Sequence, residues 1–180
     1  AQGVSTGNVQ YADVLEWDFT GEFVLYDALS ELNNLTGSID FWDVGFVRVW
    51  DNQSENFGDG YITKLFTALP DNTSVGNPTF SKNSPSIIAM DWFDEAEQEH
   101  FIFGVNTQTG DFGTFYNNSD LGFPNYSVDD TQIIFDAMLE STNERVLGIM
   151  PIANDKISSG GNATVFLQAN NEARWGVWFG

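Results

Sequence analysis

The feature that most constrains this chain is a stretch that recurs. Phe123–Ala137 reads FPNYSVDDTQIIFDA: an extended run with a Pro and an aromatic, an acidic turn at Asp129-Asp130, then Ile133, Ile134 and Phe135 closed by Asp136. Leu15–Ala28 (LEWDFTGEFVLYDA) and Asn77–Asp91 (NPTFSKNSPSIIAMD) follow the same order. The aromatics Trp17, Phe80 and Tyr126 correspond, as do Asp27, Asp91 and Asp136, with aromatic-to-Asp spacings of 10, 11 and 10 residues. A fourth start is read at Ala173–Phe179 (ARWGVWF), with Trp175 in the aromatic position and intervals of 63, 46 and 49 residues between aromatics. A period of this length points to a repeat architecture in which each unit buries its faces against its neighbours.

Between these anchors the chain reads as short strands and turns. The first unit has strands over Tyr11–Trp17 and Glu22–Asp27, turned at Thr20-Gly21. A polar excursion, Ala28–Gly37, is expected to be a short helix or ordered loop, followed by a strand in Ile39–Trp50 and another over Tyr61–Leu69. The second unit places strands at Thr79–Ser81, Ile87–Asp91, Phe101–Asn106 and Phe112–Tyr116. The third places them at Asn125–Ser127, Gln132–Ala137, Val146–Pro151 and Thr164–Gln168. Each unit is thus a four-stranded meander, the sequence form of a β-propeller blade. The expected class is all-β, with blades over about 11–70, 77–117 and 123–169 and the start of the next over 173–180. Three blades and one strand fall short of the usual ring of four to eight. The expectation is therefore an incomplete part of a larger ring, closed by more of the same polypeptide or by other chains.

Pro124, Tyr126, Ser127, Asp129, Ile133 and Phe135 together make a motif that resembles the TolB-type β-propeller repeat, which also covers the propellers of the prolyl oligopeptidase and dipeptidyl peptidase families. Pro78, Phe80, Ser81, Ile87 and Met90 fit it with one extra residue, and Trp17, Thr20, Gly21, Phe23 and Leu25 fit more loosely. Phe101–Gly110 resembles the second half of that repeat, an apolar strand followed by Thr-Gly. The resemblance spans residues 11–179 and implies the propeller fold. It implies no particular activity, since propellers host many.

Charge and composition narrow the function classes. There are 26 acidic residues against 6 Lys and Arg, a formal charge of −20, which repels nucleic acid and anionic membrane surfaces. It suits a solvated acidic surface or a saline medium that screens self-repulsion. No cysteine is present, which removes disulfides and thiolate metal sites. No run of about 18 apolar residues is long enough for a membrane-spanning helix. Six Asn-x-Ser/Thr sequons, at Asn34, Asn52, Asn72, Asn117, Asn125 and Asn162, permit export and glycosylation. The expected location is extracytoplasmic.

The chemistry-bearing candidates are few. His100, the single histidine, stands beside the acidic run Asp94–Glu99 and reads as surface rather than ligand. Neither a Gly-x-Ser-x-Gly elbow nor a phosphate loop occurs, and Ser158-Ser159 lie in a turn-like loop. Ser127-Val128-Asp129-Asp130 echoes only part of a sialidase Asp-box. Asp40, Asp43 and Asp51 could meet a calcium ion, with solvent-facing turn acids the default, so no cofactor is expected apart from that option. Asp27, Asp91 and Asp136, at one position of successive blades, could face a channel mouth together. The plainer reading has each end a strand and bond the following turn. Trp42, Trp50, Trp92, Trp175 and Trp178 could stack on sugars, with core packing the default. The expected function is a non-catalytic scaffold for protein–protein interaction within an exported multidomain protein or assembly. The alternatives are the propeller portion of an exported peptidase or glycosidase, and a glycan-binding module.

Overall fold

The computed structural model describes residues 8–34, 37–66, 69–139, 141–168 and 174–178. The first blade is built from β1 (Asn8–Trp17), β2 (Phe23–Asn34) and β3 (Gly37–Arg48), followed by a small hairpin of β4 (Trp50–Asp51) and β5 (Asn56–Phe57), and by β6 (Ile62–Lys64). The second has β7 (Thr73–Phe80), β8 (Ile87–Asp94), β9 (Glu99–Asn106) and β10 (Phe112–Asn118). The third has β11 (Asn125–Tyr126), β12 (Gln132–Leu139), β13 (Glu144–Pro151) and β14 (Thr164–Gln168). Each blade is a four-stranded antiparallel meander: β1-β2-β3-β6, β7-β8-β9-β10 and β11-β12-β13-β14. No helix occurs among the described residues, so none there is long and apolar enough to cross a membrane.

The turns after the innermost strands show why the repeat has its sequence. In blade 1 the Asp18 carboxylate accepts the backbone N–H groups of Thr20, Glu22 and Phe23 at 3.2, 3.0 and 2.8 Å, while Gly21 takes a left-handed φ of 72°. In blade 3 the Ser127 hydroxyl does this work, accepting from Thr131 and Gln132 at 3.1 and 3.0 Å, and Asp129 accepts from the hydroxyls of Ser127 and Thr131. One turn is built with Asp and the other with Ser, because either oxygen can hold the tight backbone.

Alternation along the second strand of each blade sends neighbouring side chains to opposite blades. Ile88 and Met90 join Leu25, Val44, Val75, Phe80 and Val105 between blades 1 and 2. Ile87 and Ala89 turn the other way and pack with Ile102, Phe115, Tyr126, Ile133 and Phe135 between blades 2 and 3. Ile134, between two residues of that layer, points forward with Leu147 onto Trp178. Both faces of β8 and β12 are therefore covered, which is why their apolar runs are continuous.

The excursion Ala28–Gly37 is not a helix or loop. It continues β2 and β3, with Ala28↔Asp43, Leu29↔Trp42, Ser30↔Phe41 and Glu31↔Asp40 paired; residues 35–36 lie outside the described residues. The backbone groups of β3 need a partner, and a lengthened β2 supplies one despite its polar sequence. The fourth strand is shorter than expected, three residues rather than nine.

Blade 3 also reaches back over blade 2. Gly104 and Gly113 are cross-strand neighbours, and a Cβ at either would lie 2.5 or 2.7 Å from the backbone oxygen of Ile157. Their bare backbones seat this loop, whose Lys156 carbonyl accepts the buried Tyr126 hydroxyl at 2.8 Å. Gly104→Ala is expected to cost about 1–3 kcal/mol by overpacking, read as a lower urea midpoint at unchanged slope.

Arg48, Lys64, Lys82, Arg145 and Lys156 all sit in ion pairs with carboxylates. The remaining acidic surface repels itself. The thermal midpoint is expected to rise from about 0.1 M to about 1 M salt, as the screening length falls from ~10 to ~3 Å; a flat calorimetric series would contradict this.

Candidate functional site

The repeated carboxylates Asp27, Asp91 and Asp136 lie inside β2, β8 and β12, not at their ends, and are 3%, 3% and 0% exposed. Each faces the next blade. Asp27 accepts the N–H of Val14 in its own blade at 2.9 Å and that of Asn77 in blade 2 at 2.7 Å. Asp91 accepts the Asn77 side-chain amide at 2.8 Å and the N–H groups of Gly122 and Phe123, entering blade 3, at 2.8 and 3.0 Å. Asp136 accepts the N–H of Trp175 at 2.9 Å and stands 3.7 Å from the Arg145 guanidinium. The bonds run to the following blade rather than to the following turn. The three act as clasps between blades.

The clasped residues have a shared geometry. Asn77, Phe123 and Trp175 have φ of 50°, 46° and 53°, in the left-handed region. Asn77 and Phe123 lie three residues before the repeat aromatics Phe80 and Tyr126. The matching aromatic of the fourth unit is therefore Trp178, not Trp175, a shift of three residues. ARWGVWF offers two tryptophans three apart, and only the Asp136 bond and the left-handed backbone choose between them. In blades 1 and 2 the clasped residue lies in a β-bulge, where the ladder skips from Ala12 to Leu15 and from Gly76 to Thr79. Pro78 takes a bulge position, where no ladder N–H is required. The recurring signal was a Pro two residues before the aromatic; its meaning needed the backbone.

Burial makes these carboxylates weak acids. It pushes Asp27 up against the N–H bonds of Asn77 and Val14, and Asp136 up against the Trp175 N–H and the charges of Arg145 and Arg174. Asp91 rises to about 6, because burial outweighs the bonds from Phe123, Gly122 and Asn77, and the Asp136 charge adds to it. A carboxyl with a folded pKa above its unfolded value binds protons preferentially in the native state. The contribution of Asp91 to stability is therefore expected to be fully present below the unfolded value near pH ~4 and to be lost as pH rises through about 6. Asp91→Asn is expected to flatten this stretch of a denaturation-against-pH profile, whereas relief of general surface repulsion would leave the slope in place.

Two cavities adjoin the clasps. One of about 320 Å³ is bordered by the innermost segments of all four units, including Asp13, Asn77, Phe123 and Trp175. The other, about 520 Å³, lies between blades 1 and 2, lined by Asp27, Trp42, Asp91, Phe93, His100 and Asp120 among others. His100 is thus a strand residue beside this cleft. It stacks on Phe93 at 4.3 Å, its Nδ1 is buried without a hydrogen-bond partner, and burial lowers its pKa against the pull of Asp120.

The other candidates are dispersed. Asp43 pairs with Lys64 at 2.6 Å, Asp40 accepts from Gln10, and Asp51 holds the N–H groups of Gln53 and Ser54 beside Arg48. Among the described residues no three His, Asp or Glu side chains converge as metal ligands. Ser158 and Ser159 bond Asp155 and the Gly161 carbonyl within their own loop. Trp92 packs against Phe66 and Phe103, Trp50 packs edge-on to Phe57, and Trp175 is 62% exposed.

No protein-family model matches the chain, and no curated protein does. Solved structures do. One, from a structural and mechanistic analysis of two prolyl endopeptidases, superposes with a TM-score of 0.57 at 8% identity, covering 91% of this chain and 23% of that one. Another is the β-propeller domain of the Trilobed protease from Pyrococcus furiosus, described as having an open velcro topology; its TM-score is 0.55 at 11% identity, covering 89% of this chain and 45% of that one. At these identities the likeness shows the fold, and the chain spans less than half of either protein. It is an all-β propeller arc of three four-stranded blades.

Proposed function

We propose that this chain is a non-catalytic scaffold, a propeller module whose open arc is completed by further blades of a larger exported protein or assembly. The observation that carries this reading is the seating of Trp175–Trp178. Asp136 clasps Trp175, and Gly176 lies so close to Ile134 that a Cβ would come within 2.7 Å of it. Residues 174–178 are thereby held against blade 3, in the seat that the innermost segment of a further blade would take. The repeat fits a TolB-type propeller, and the sequons at Asn52, Asn72, Asn117 and Asn162 lie on exposed residues, as export would use them. Both matched structures come from proteases, which favours one second reading: the propeller portion of an exported hydrolase acting on peptides or glycans.

Light scattering and intact mass of the natural material test the scaffold reading. The expected result is a polypeptide or complex well above the mass of 180 residues, without hydrolysis of fluorogenic peptides or glycosides. A well-behaved monomer of this chain alone overturns completion by further blades. Hydrolysis that co-purifies with the complex and is lost when the chain is removed would move the assignment to the second reading.

A further inference from the structure

The clasp requires a backbone N–H at its left-handed residue. Blade 2 has Asn77 there, a residue type that enters this region comparatively easily and whose side-chain amide also donates to Asp91. Blades 3 and 4 nevertheless place aromatic rings there, Phe123 at φ 46° and Trp175 at φ 53°, where bulky side chains are strained. Trp175 is 62% exposed in this arc and Phe123 is half-buried. The two rings stand 6.0 Å apart at 75°, two walls of a corner on the axial cavity of about 320 Å³. The rest of that wall includes Asp13, Glu16, Asn77 and Asn125, and no lysine or arginine among the described residues. Glu16 is paired with Lys82 at 2.5 Å, while Asp13 is exposed.

We propose that the Phe123–Trp175 corner is a binding site for an organic cation, an ammonium or guanidinium group presented by a free amine or by a basic peptide side chain. Ring faces attract a desolvated cation, and two rings at a steep angle offer it more than one contact. Asp13 supplies a carboxylate on the same wall. The −20 charge of the chain draws cations towards any such site and turns anions away. The proposal goes beyond the scaffold reading: both rings belong to this chain, and a further blade over Trp175 would add to the walls around them.

The test is a calorimetric and tryptophan-fluorescence titration of the chain with tetramethylammonium, with N-acetyl-lysine methylamide and with a lysine-containing peptide. Saturable binding is expected, with the small amines and the peptide separating the two sources by affinity. Trp175→Gly and Phe123→Gly are expected to weaken binding about tenfold each, the scale of a desolvated cation–ring contact. Their thermal midpoints should hold or rise, because glycine accepts the left-handed backbone without strain. Asp13→Asn should weaken binding and reduce its salt dependence. Absence of saturable binding by all three probes overturns the proposal, as does equal binding by the glycine variants. A fall in thermal midpoint on Trp175→Gly would assign the ring to packing and likewise overturn it. So would binding of a neutral oligosaccharide such as cellohexaose in place of the cations, which would make the corner a glycan site.

Discussion

Asp91→Ala is expected to lower the unfolding free energy by about 3–5 kcal/mol at pH 5, because buried donors left without an acceptor cost about 1–3 kcal/mol each. The donors are the backbone N–H groups of Gly122 and Phe123, the Asn77 side-chain amide is the third partner, and the carboxyl group that meets them is 3% exposed. The loss should be smaller at pH 7. There the wild-type protein already bears the cost of ionising a buried group whose pKa lies at about 6, and the alanine variant does not. The protonated acid needs one acceptor, which the Asn77 amide can provide by turning over. Urea denaturation of both proteins across pH 4–7 reads the effect directly. A loss that stays constant with pH would mean that Asp91 titrates as an ordinary carboxylate.

Asp130→Ala is expected to cost a similar 3–5 kcal/mol at pH 7, from four stranded partners against the three of Asp91, but with the opposite pH dependence. Asp130 is the clasp at the other end of the blade 2–blade 3 interface. It accepts the Ser81 hydroxyl at 2.6 Å, the N–H groups of Lys82 and Asn83 at 2.7 and 3.0 Å, and the Lys156 ammonium at 2.8 Å. Burial opposes its ionisation, yet Lys156, Ser81 and Lys82 together hold its pKa below the usual range. A lowered carboxylate contributes stability that is present above the unfolded pKa and lost as pH falls through the folded one. The penalty of Asp130→Ala should therefore shrink below pH ~4, the unfolded value, whereas that of Asp91→Ala grows as pH falls from 7 towards 5. The two profiles crossing in this sense is the expected result. Parallel profiles would show that the lysine, and not depth of burial, fails to separate the two sites.

The contrast explains what could be read without coordinates. A recurring aromatic and a recurring Asp mark equivalent places in successive blades, and Asp27, Asp91 and Asp136 do occupy equivalent places. Their partners across the blade boundary could not be read from local pattern: Asn77 is 50 residues from Asp27, and Trp175 is 39 from Asp136. Asp130 passed for the second half of an acidic turn, and it is a left-handed turn residue with φ 54°. Its acceptor role depends on Ser81, 49 residues earlier, so no local pattern announces it. Ala28–Gly37 departs from its local pattern for the same reason in reverse. Its polar composition argues for a loop, but strand pairing with β3 decides, and propensity is weaker than a full ladder of backbone bonds.

By itself the sequence determined the all-β class, the blade period, the doubly covered second strands and the unusual acidity, because these follow from side-chain alternation, turn chemistry and charge, all local or additive properties. Only the tertiary structure decided which tryptophan begins the fourth unit, what the repeated aspartates hold, and that Asn77, Phe123 and Trp175 share one strained backbone position beside the axis. Each of those depends on a hydrogen bond between blades whose strength comes from burial, and burial exists only once the blades have packed.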